Sequence, residues 1–366
     1  MVTQILLKEE CMKTLTIDGF KISPENKTFI IAELSANHGG KLEVALDTIS
    51  AAKRAGADAI KLQTYTADTI TLDSKTEHFK INKDTLWDGQ FLHELYQKAQ
   101  MPWEWHHALF DHAKKEGLIC FSSPFDNSAV DLLESLNAPA YKIASPEITD
   151  IPLIKYVASK GKPIIISTGM ARLEDIELAV TTCKNVGNDM IALLKCTSAY
   201  PTSLDEVNLL TLPDFKERFN CQIGLSDHTI GSTVAGAAVA LGARIIEKHF
   251  ILDKSVGGPD ADFSMTPPEF KQLVDTVRDI ERALGSINYS LTESTIKTRS
   301  FCRSLFITKD IKKGETITQE NVRSIRPGAG LHPKYFDEIL GAKFDSDFPK
   351  GTPLSFDKIK KNTNDS

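Results

Sequence analysis

Residues 222–250 read QIGLSDHTIGSTVAGAAVALGARIIEKHF, and this stretch decides the fold. QIGLSDH is an apolar run that closes on His228, and RIIEKHF, at 244–250, is a second that closes on His249. The small-residue stretch GSTVAGAAVALGA between them, at 231–243, reads as a helix. Strand, helix and strand make a parallel βα repeat with an imidazole at each of two neighbouring strand ends. In a parallel α/β barrel those C-terminal ends form the active-site face. Two neutral imidazoles there are suited to a divalent metal. No cysteine adjoins them in sequence, whereas acidic residues do. An oxygen-rich, six-coordinate Mn²⁺ or Mg²⁺ site is therefore expected over a closed Zn²⁺ site. The plainer alternative is two unrelated core or surface histidines.

The same repeat extends back along the chain. Apolar runs recur at FIIAELS (29–35), DAIKLQT (58–64), LICFSSP (118–124), PAYKIAS (139–145), PIIISTG (163–169) and IALLKCT (191–197). Helical periodicity lies between them, as in LEVALDTISAAKRAG (42–56) and AVDLLESLNA (129–138). Eight strands alternating with helices predict a (β/α)8 TIM barrel. A doubly wound open sheet would want a Gly-rich dinucleotide turn after its first strand, and none follows Ser35.

A barrel should gather polar residues at its strand ends. The runs supply Glu33, Ser35, Asn37 and His38; Lys61, Gln63 and Thr64; Ser122 and Ser123; Lys142, Ser145 and Glu147; Ser167 and Thr168; Lys195, Thr197 and Ser198; and Ser226, Asp227, His228, Glu247, Lys248 and His249. Some of these serve only to cap helices, with Ser167 a candidate. Capping does not account for Lys61 and Lys142, because helix N-termini prefer anions.

Two regions depart from the repeat. Residues 65–107 form a long connection that holds all three tryptophans, Trp87, Trp103 and Trp105, with FLHELYQKA (91–99) helical inside it. The tryptophans either pack the loop onto the barrel or touch a ligand, packing being the commoner role. After about residue 285 the pattern changes to short strands with turns at KKGE (312–315) and PKGT (349–352). The expected organisation is a barrel over 1–284 with its core from about residue 28, a linker over 285–300, a small domain over 301–360 and a disordered tail over 361–366.

Bulk properties narrow the class. The charged fraction of 25% and hydrophobic fraction of 41% suit a globular protein. The net charge of −6 argues against a large nucleic-acid footprint. No apolar run reaches the roughly 20 residues of a membrane span. Lys8, Glu9 and Glu10 interrupt the start where a signal peptide needs its apolar middle, and the six cysteines lack CxxC spacing. A cytoplasmic protein with reduced thiols is expected.

The expected site collects lysines, hydroxyls, two histidines and the carboxylates Glu33, Glu147 and Asp260. Lysines and hydroxyls suit a small ligand carrying phosphate and carboxylate. A metal suits a carbonyl to be polarised, and a carboxylate beside both suits proton transfer. This chemistry describes a phosphorylated carbon donor meeting an aldehyde. A Schiff-base aldolase on Lys142 or Lys195, a metal-dependent barrel aldolase or phosphatase, and a carbohydrate- or ice-binding protein stay open on the residues alone.

IAELSANHGG (31–40), KLQT (61–64), FSSPF (121–125), YKIASPE (141–147), STGM (167–170), KCTSAYPT (195–202), GLSDHT (224–229), EKHF (247–250) and GPDADFSM (258–265) resemble the phosphoenolpyruvate-dependent nonulosonic acid synthases, the sialic acid synthases and their relatives. The resemblance covers about residues 28–360. DIKKGETIT (310–318) and RPGAG (326–330) resemble that family's C-terminal antifreeze-like (SAF, β-clip) module. IAELSANHGG, WDG at 87–89 and PWEWH at 102–106 resemble the branch that makes pseudaminic acid from 2,4-diacetamido-2,4,6-trideoxy-L-altrose, with the N-acetylneuraminate and legionaminate branches as alternatives; Gly39 and Ser198 depart from the N-acetylneuraminate pattern.

The resemblance implies roles residue by residue. His228 and His249 bind the metal, with manganese the expected ion and Mg²⁺ or Co²⁺ the substitutes. Lys61, Ser123, Lys142, Ser145, Ser167, Ser198 and Ser226 hold phosphoenolpyruvate. Glu33 orients a water or moves a proton. Gln63, Glu147, Tyr200 and Asp260 line the sugar site, and Arg326 reaches it from the partner subunit of a domain-swapped homodimer. The implied reaction joins C3 of phosphoenolpyruvate to the sugar aldehyde and adds water at C2. Phosphate then leaves by C–O cleavage.

Overall fold

The computed structural model describes residues 13–82, 87–200 and 202–360. The chain divides into two compact units, Met1–Gly285 and Ser286–Ser366. The expected tail over 361–366 lies outside the described residues.

The first unit opens with an antiparallel hairpin, β1 (Leu15–Ile17) and β2 (Phe20–Ile22). Its two-residue turn is Asp18–Gly19, both at positive φ, as a primed turn requires. Eight parallel strands follow: β3 (Phe29–Glu33), β4 (Ala59–Thr64), β5 (Ile119–Pro124), β6 (Tyr141–Ile143), β7 (Ile164–Ser167), β8 (Ile191–Cys196), β9 (Gln222–Asp227) and β10 (Ile245–His249). They close in chain order, with β10 pairing back onto β3. The expected TIM barrel is therefore the fold.

Period-two alternation along each strand divides the interior into layers. The lower layer is apolar. Phe29, Ile31, Ala59, Phe121, Ile165, Ala192, Leu194 and Ile245 pack there against Leu15, Ile17 and Ile22 of the hairpin. The hairpin thus plugs the N-terminal mouth of the barrel, a use for the residues before 28 that the strand repeat did not reveal. At Gly224 a Cβ would stand 2.4 Å from the Ile245 carbonyl oxygen, so only glycine fits inside the wall there. Residues of opposite parity, such as Ile30, Ile60, Leu193 and Ile246, face the helices and build the main core. One layer up from the apolar plug, the inward positions become Glu33, Lys61, Lys142, Ser167, Ser226 and Glu247.

The 65–107 connection carries its own elements: a short helix at Ala67–Ile70, a 3-10 turn at Glu77–Phe79 and a helix at Leu92–Ala99. Its return is pinned by His106, which is fully buried and sits 2.9 Å from the Thr64 hydroxyl through Nε2. Burial pushes the His106 imidazole down to about 4, so it stays neutral.

The second unit has its own core of Leu305, Ile307, Ile311, Ile317, Val322, Ile339, Phe344 and Leu354. β11 (Ser304–Ile307) and β12 (Val322–Ile325) pair antiparallel. The remaining expected strands are single bridges, including Ile311 with Phe348 and Phe344 with Ile359. The polar stretch before them is partly helical, at Glu293–Thr298. No helix among the described residues is long and apolar enough to cross a membrane.

Candidate active site

A cavity of about 460 Å³ opens at the C-terminal ends of the barrel strands. Its floor is a buried network of alternating charge. Lys61 Nζ lies 2.6 Å from Glu33 Oε2 and 3.6 Å from Glu247 Oε1. Lys142 Nζ lies 3.3 Å from the same Glu247 oxygen and donates to Ser167 Oγ at 2.7 Å. Ser226 donates to Glu247 at 3.2 Å, and Gln63 donates to Glu33 at 3.0 Å. Ser123 accepts from Lys61 at 3.4 Å but does not line the cavity. Ser167 therefore serves the network rather than capping a helix, since the next helix starts only at Leu173.

Glu247 is the residue that reasoning from the sequence left without a role. It faces inward between Ile245 and His249, and that parity was available in IIEKH. Burial alone would raise its pKa, but Lys142 and Lys61 hold it below the carboxylate range. An arriving anion must therefore compete with Glu247 for both ammonium groups. Glu33 differs. Burial raises it to about 7 against the pull of Lys61, and Glu247 adds repulsion. A carboxyl at that value can take up or release a proton near neutrality.

His228 and His249 meet above this floor, with ring centroids 5.2 Å apart. His228 Nδ1 is 3.0 Å from the Thr197 carbonyl oxygen. A carbonyl only accepts, so Nδ1 carries the hydrogen and Nε2 is the nitrogen left for a metal. Burial lowers the His228 pKa, but Cys196 and the Thr197 carbonyl outweigh it and raise it above its ordinary value, so a metal must displace a proton there. His249 Nδ1 is buried without a hydrogen-bond partner, 3.8 Å from Asp260 Oδ2. Burial, and then the charge of His228, push His249 well below its ordinary value, so its ring is neutral. Among the described residues no group of three or more His, Cys, Asp or Glu stands at metal-ligating spacing. The donor set fits an open site, in which the two imidazoles would hold a divalent cation and leave room for further ligands. The orphaned nitrogen of His249 supports that fit.

The upper wall is apolar and comes largely from the 65–107 connection. Ile70, Ile81, Trp87, Leu92, Leu95 and Tyr96 line it, whereas Trp103 and Trp105 do not. Trp87 stands edge-on to Tyr200 at 5.8 Å. Trp105 instead packs against His38, whose Nδ1 accepts from the Gly40 amide at 3.1 Å, a structural role for both. Polar groups reach into this wall at three points, Tyr200, Glu147 and Asp260, the last accepting from Ser35 Oγ.

Glu147 is raised to about 7, chiefly by burial, and its Oε2 has no partner. Its proton is held more tightly folded than unfolded, so stability falls as pH rises from about 4.5 to 7. A shift of that size corresponds to about 3 kcal/mol. Glu147→Gln is accordingly expected to stabilise the protein by up to about 3 kcal/mol at pH 8 and far less at pH 5. Urea unfolding at the two values measures this, and equal gains at both would refute the assignment.

Most of the expected site residues share this cavity: Glu33, Lys61, Gln63, Lys142, Ser145, Glu147, Ser167, Tyr200, Ser226, His228, His249 and Asp260. Ser198 crowds Gly169 from beneath. A Cβ on Gly169 would stand 2.3 Å from Ser198 Oγ and 2.9 Å from both Cys196 Sγ and Ser145 Oγ. Lys195 has outward parity, bonds to the Cys196 carbonyl and lines a different pocket beside Leu173 and Phe215. That removes it as a Schiff-base lysine for this cavity. Arg326 is exposed in the second unit, directly after β12.

Residues 48–289 match the NeuB family, and residues 303–360 match the SAF domain. The pseudaminic acid synthase of Campylobacter jejuni subsp. jejuni (serotype O:23/36, strain 81-176) is 50% identical over 330 residues, covering 90% of this chain and 96% of its own. The pseudaminic acid synthase of Helicobacter pylori (strain ATCC 700392 / 26695) is 49% identical, covering 91% and 98%. The crystal structure of N-acetylneuraminic acid synthetase from Leptospira borgpetersenii serovar Hardjo-bovis in complex with citrate aligns with a TM-score of 0.69 at 32% identity, covering 78% of this chain and 95% of its own. With its barrel, its cavity and these likenesses in agreement, the chain belongs to the NeuB family and carries a C-terminal SAF domain.

Proposed function

We propose that this protein is a pseudaminic acid synthase of the cytoplasm. It condenses phosphoenolpyruvate with 2,4-diacetamido-2,4,6-trideoxy-L-altrose and water to give pseudaminic acid and phosphate. The observation that carries this reading is the stacking of three layers in one cavity. A floor of Lys61 and Lys142 lies below the imidazoles of His228 and His249, which lie below an apolar wall.

The floor suits phosphate and carboxylate. Lys61, Lys142, Ser145, Ser167 and Ser226 donate to the anion, with Ser123 and Ser198 supporting from behind. Their preorganised charge favours the oxocarbenium-like and tetrahedral species formed at C2. Glu33, raised to about 7, takes the proton of the attacking water. His228 and His249 would hold a divalent cation, Mn²⁺ first, which supplies polarisation of the acceptor carbonyl. Glu147, Asp260, Gln63 and Tyr200 meet the hydroxyl and amide groups of the sugar. The apolar wall meets its acetamido methyls and its C6 methyl.

The acceptor follows from that wall. A C6 hydroxyl against Ile81 or Leu92 would go without a partner, at about 1–3 kcal/mol. The kcat/KM for the trideoxy sugar should therefore exceed that for N-acetylmannosamine by roughly 5- to 150-fold. Phosphate release from phosphoenolpyruvate across a panel of acceptor sugars, with product mass measured, tests both statements. Phosphate release without an acceptor would sink the condensation. A ratio favouring N-acetylmannosamine would move the protein to the sialic acid branch.

A further inference from the structure

Directly behind the two imidazoles, a buried ion pair takes no part in lining the cavity. Alternation turns Ser226, His228, Glu247 and His249 inward. The residue before each histidine, Asp227 or Lys248, therefore faces outward beneath the helices. The two are register partners across β9 and β10. Lys248 Nζ donates to Asp227 Oδ2 at 2.7 Å, and each side chain is only 1% exposed. The same ammonium donates to the Thr229 carbonyl. Asp227 Oδ1 accepts from the Thr229 amide at 2.9 Å and from its hydroxyl at 2.7 Å. Residues 227 and 229, on either side of His228, are thus both tied to residue 248, which adjoins His249.

Stability is a weak reason for such a pair. Two buried ions lose their hydration, and an apolar pair of the same volume is often as stable or more so. What the pair supplies instead is geometry. Its charge-assisted bonds have fixed direction and length, and they join the two strand ends, one leading into His228 and the other bearing His249. Beside the backbone ladder of β9 and β10, the pair adds a side-chain tie from the 227–229 turn to β10.

We propose that Asp227, Lys248 and Thr229 are positioning residues that set the separation of His228 and His249 for a divalent cation. The proposal rests on the reading of the imidazole pair as a cation site. It assigns these residues no contact with substrate.

The test replaces the pair with apolar residues of similar size, Asp227→Leu with Lys248→Met, in the full-length protein. Mn²⁺ binding is followed by the electron paramagnetic resonance signal of the free ion, with circular dichroism as the check on folding. The Mn²⁺ dissociation constant should rise by about 10- to 100-fold, as for other groups that orient metal ligands. The KM for phosphoenolpyruvate at saturating Mn²⁺ should stay put, because Lys61 and Lys142 are untouched. A purely structural role would lower the melting temperature and leave the Mn²⁺ constant alone. If the double variant fails to fold, Thr229→Val removes one hydroxyl bond and should shift the constant less, in the same direction. If wild-type protein binds Mn²⁺, His249→Ala does not, and the folded clamp variant matches wild type, the clamp is wrong and the cation site stands. If wild-type protein binds no Mn²⁺, the cation site fails and the clamp fails with it.

Discussion

His228→Ala and His249→Ala are each expected to lose the bound divalent cation and to lower turnover by on the order of 10³-fold, while keeping the fold. The expectation follows from protonation state. A metal takes only a neutral imidazole, and His249 is held neutral by burial and the charge beside it. His228 is oriented by the Thr197 carbonyl, which leaves Nε2 for the metal, and its raised pKa means that metal binding releases a proton there. The rings stand 5.2 Å apart, within reach of one ion. Truncating either ring leaves one protein nitrogen, too few to hold a cation against dilution. The loss should be specific, because neither ring belongs to the buried apolar core and the β10 pairings are backbone bonds. Chelator should mimic the variants, and Mn²⁺, Co²⁺ or Mg²⁺ should restore the wild-type protein alone. Metal content by mass spectrometry and steady-state turnover decide it. Full turnover in a metal-stripped His249→Ala protein would remove both histidines from the mechanism.

The barrel was legible because each strand repeats one physical pattern. In RIIEKHF the apolar residues mark burial on both faces, and the polar residues crowd one end. That combination arises where a strand runs from a packed plug into a cavity, and it placed Glu33, Lys61, Lys142 and the histidines together. Parity separates neighbours that share a strand end. Lys195 and Cys196 both lie at the end of β8, yet one faces the helices and the other the site. Counting from Leu194, which lies in the barrel plug, would have separated them. The same count assigns Glu247 to the floor. The hairpin plug had a local signal too, Asp18–Gly19 between LTI and FKI, but strands of three residues are too short to stand out. The apolar wall had no local signal at all. Tyr65 packs on Tyr96 and Phe125 across three segments of chain, and no spacing within one segment reports such a contact.

Mixing Arg326→Ala subunits with His228→Ala subunits is expected to restore activity that neither has alone. We propose that the protein works as a two-fold dimer in which Arg326 of one subunit completes the site of the other. Arg326 lies in the SAF-containing unit and is exposed there. The stretch that leads to it leaves Ile287, Tyr289, Ile296 and Phe301 exposed, with Ile287 at 93% and Tyr289 at 95%. The guanidinium fork is built to donate to an amide oxygen and a hydroxyl together, which a diacetamido sugar offers. Losing such a charged donor costs about 1.5–3 kcal/mol, so Arg326→Ala alone should fall by roughly 10- to 150-fold. In a mixed dimer, one site carries both defects and the other carries neither. Random exchange of equal amounts therefore gives intact sites at about a quarter of the wild-type number. Subunit exchange is verified first by mass-tagged native electrophoresis. Recovery near a quarter, linear in the fraction of mixed dimer, is the expected result. Verified exchange with no recovery would place Arg326 in its own subunit's site or in none.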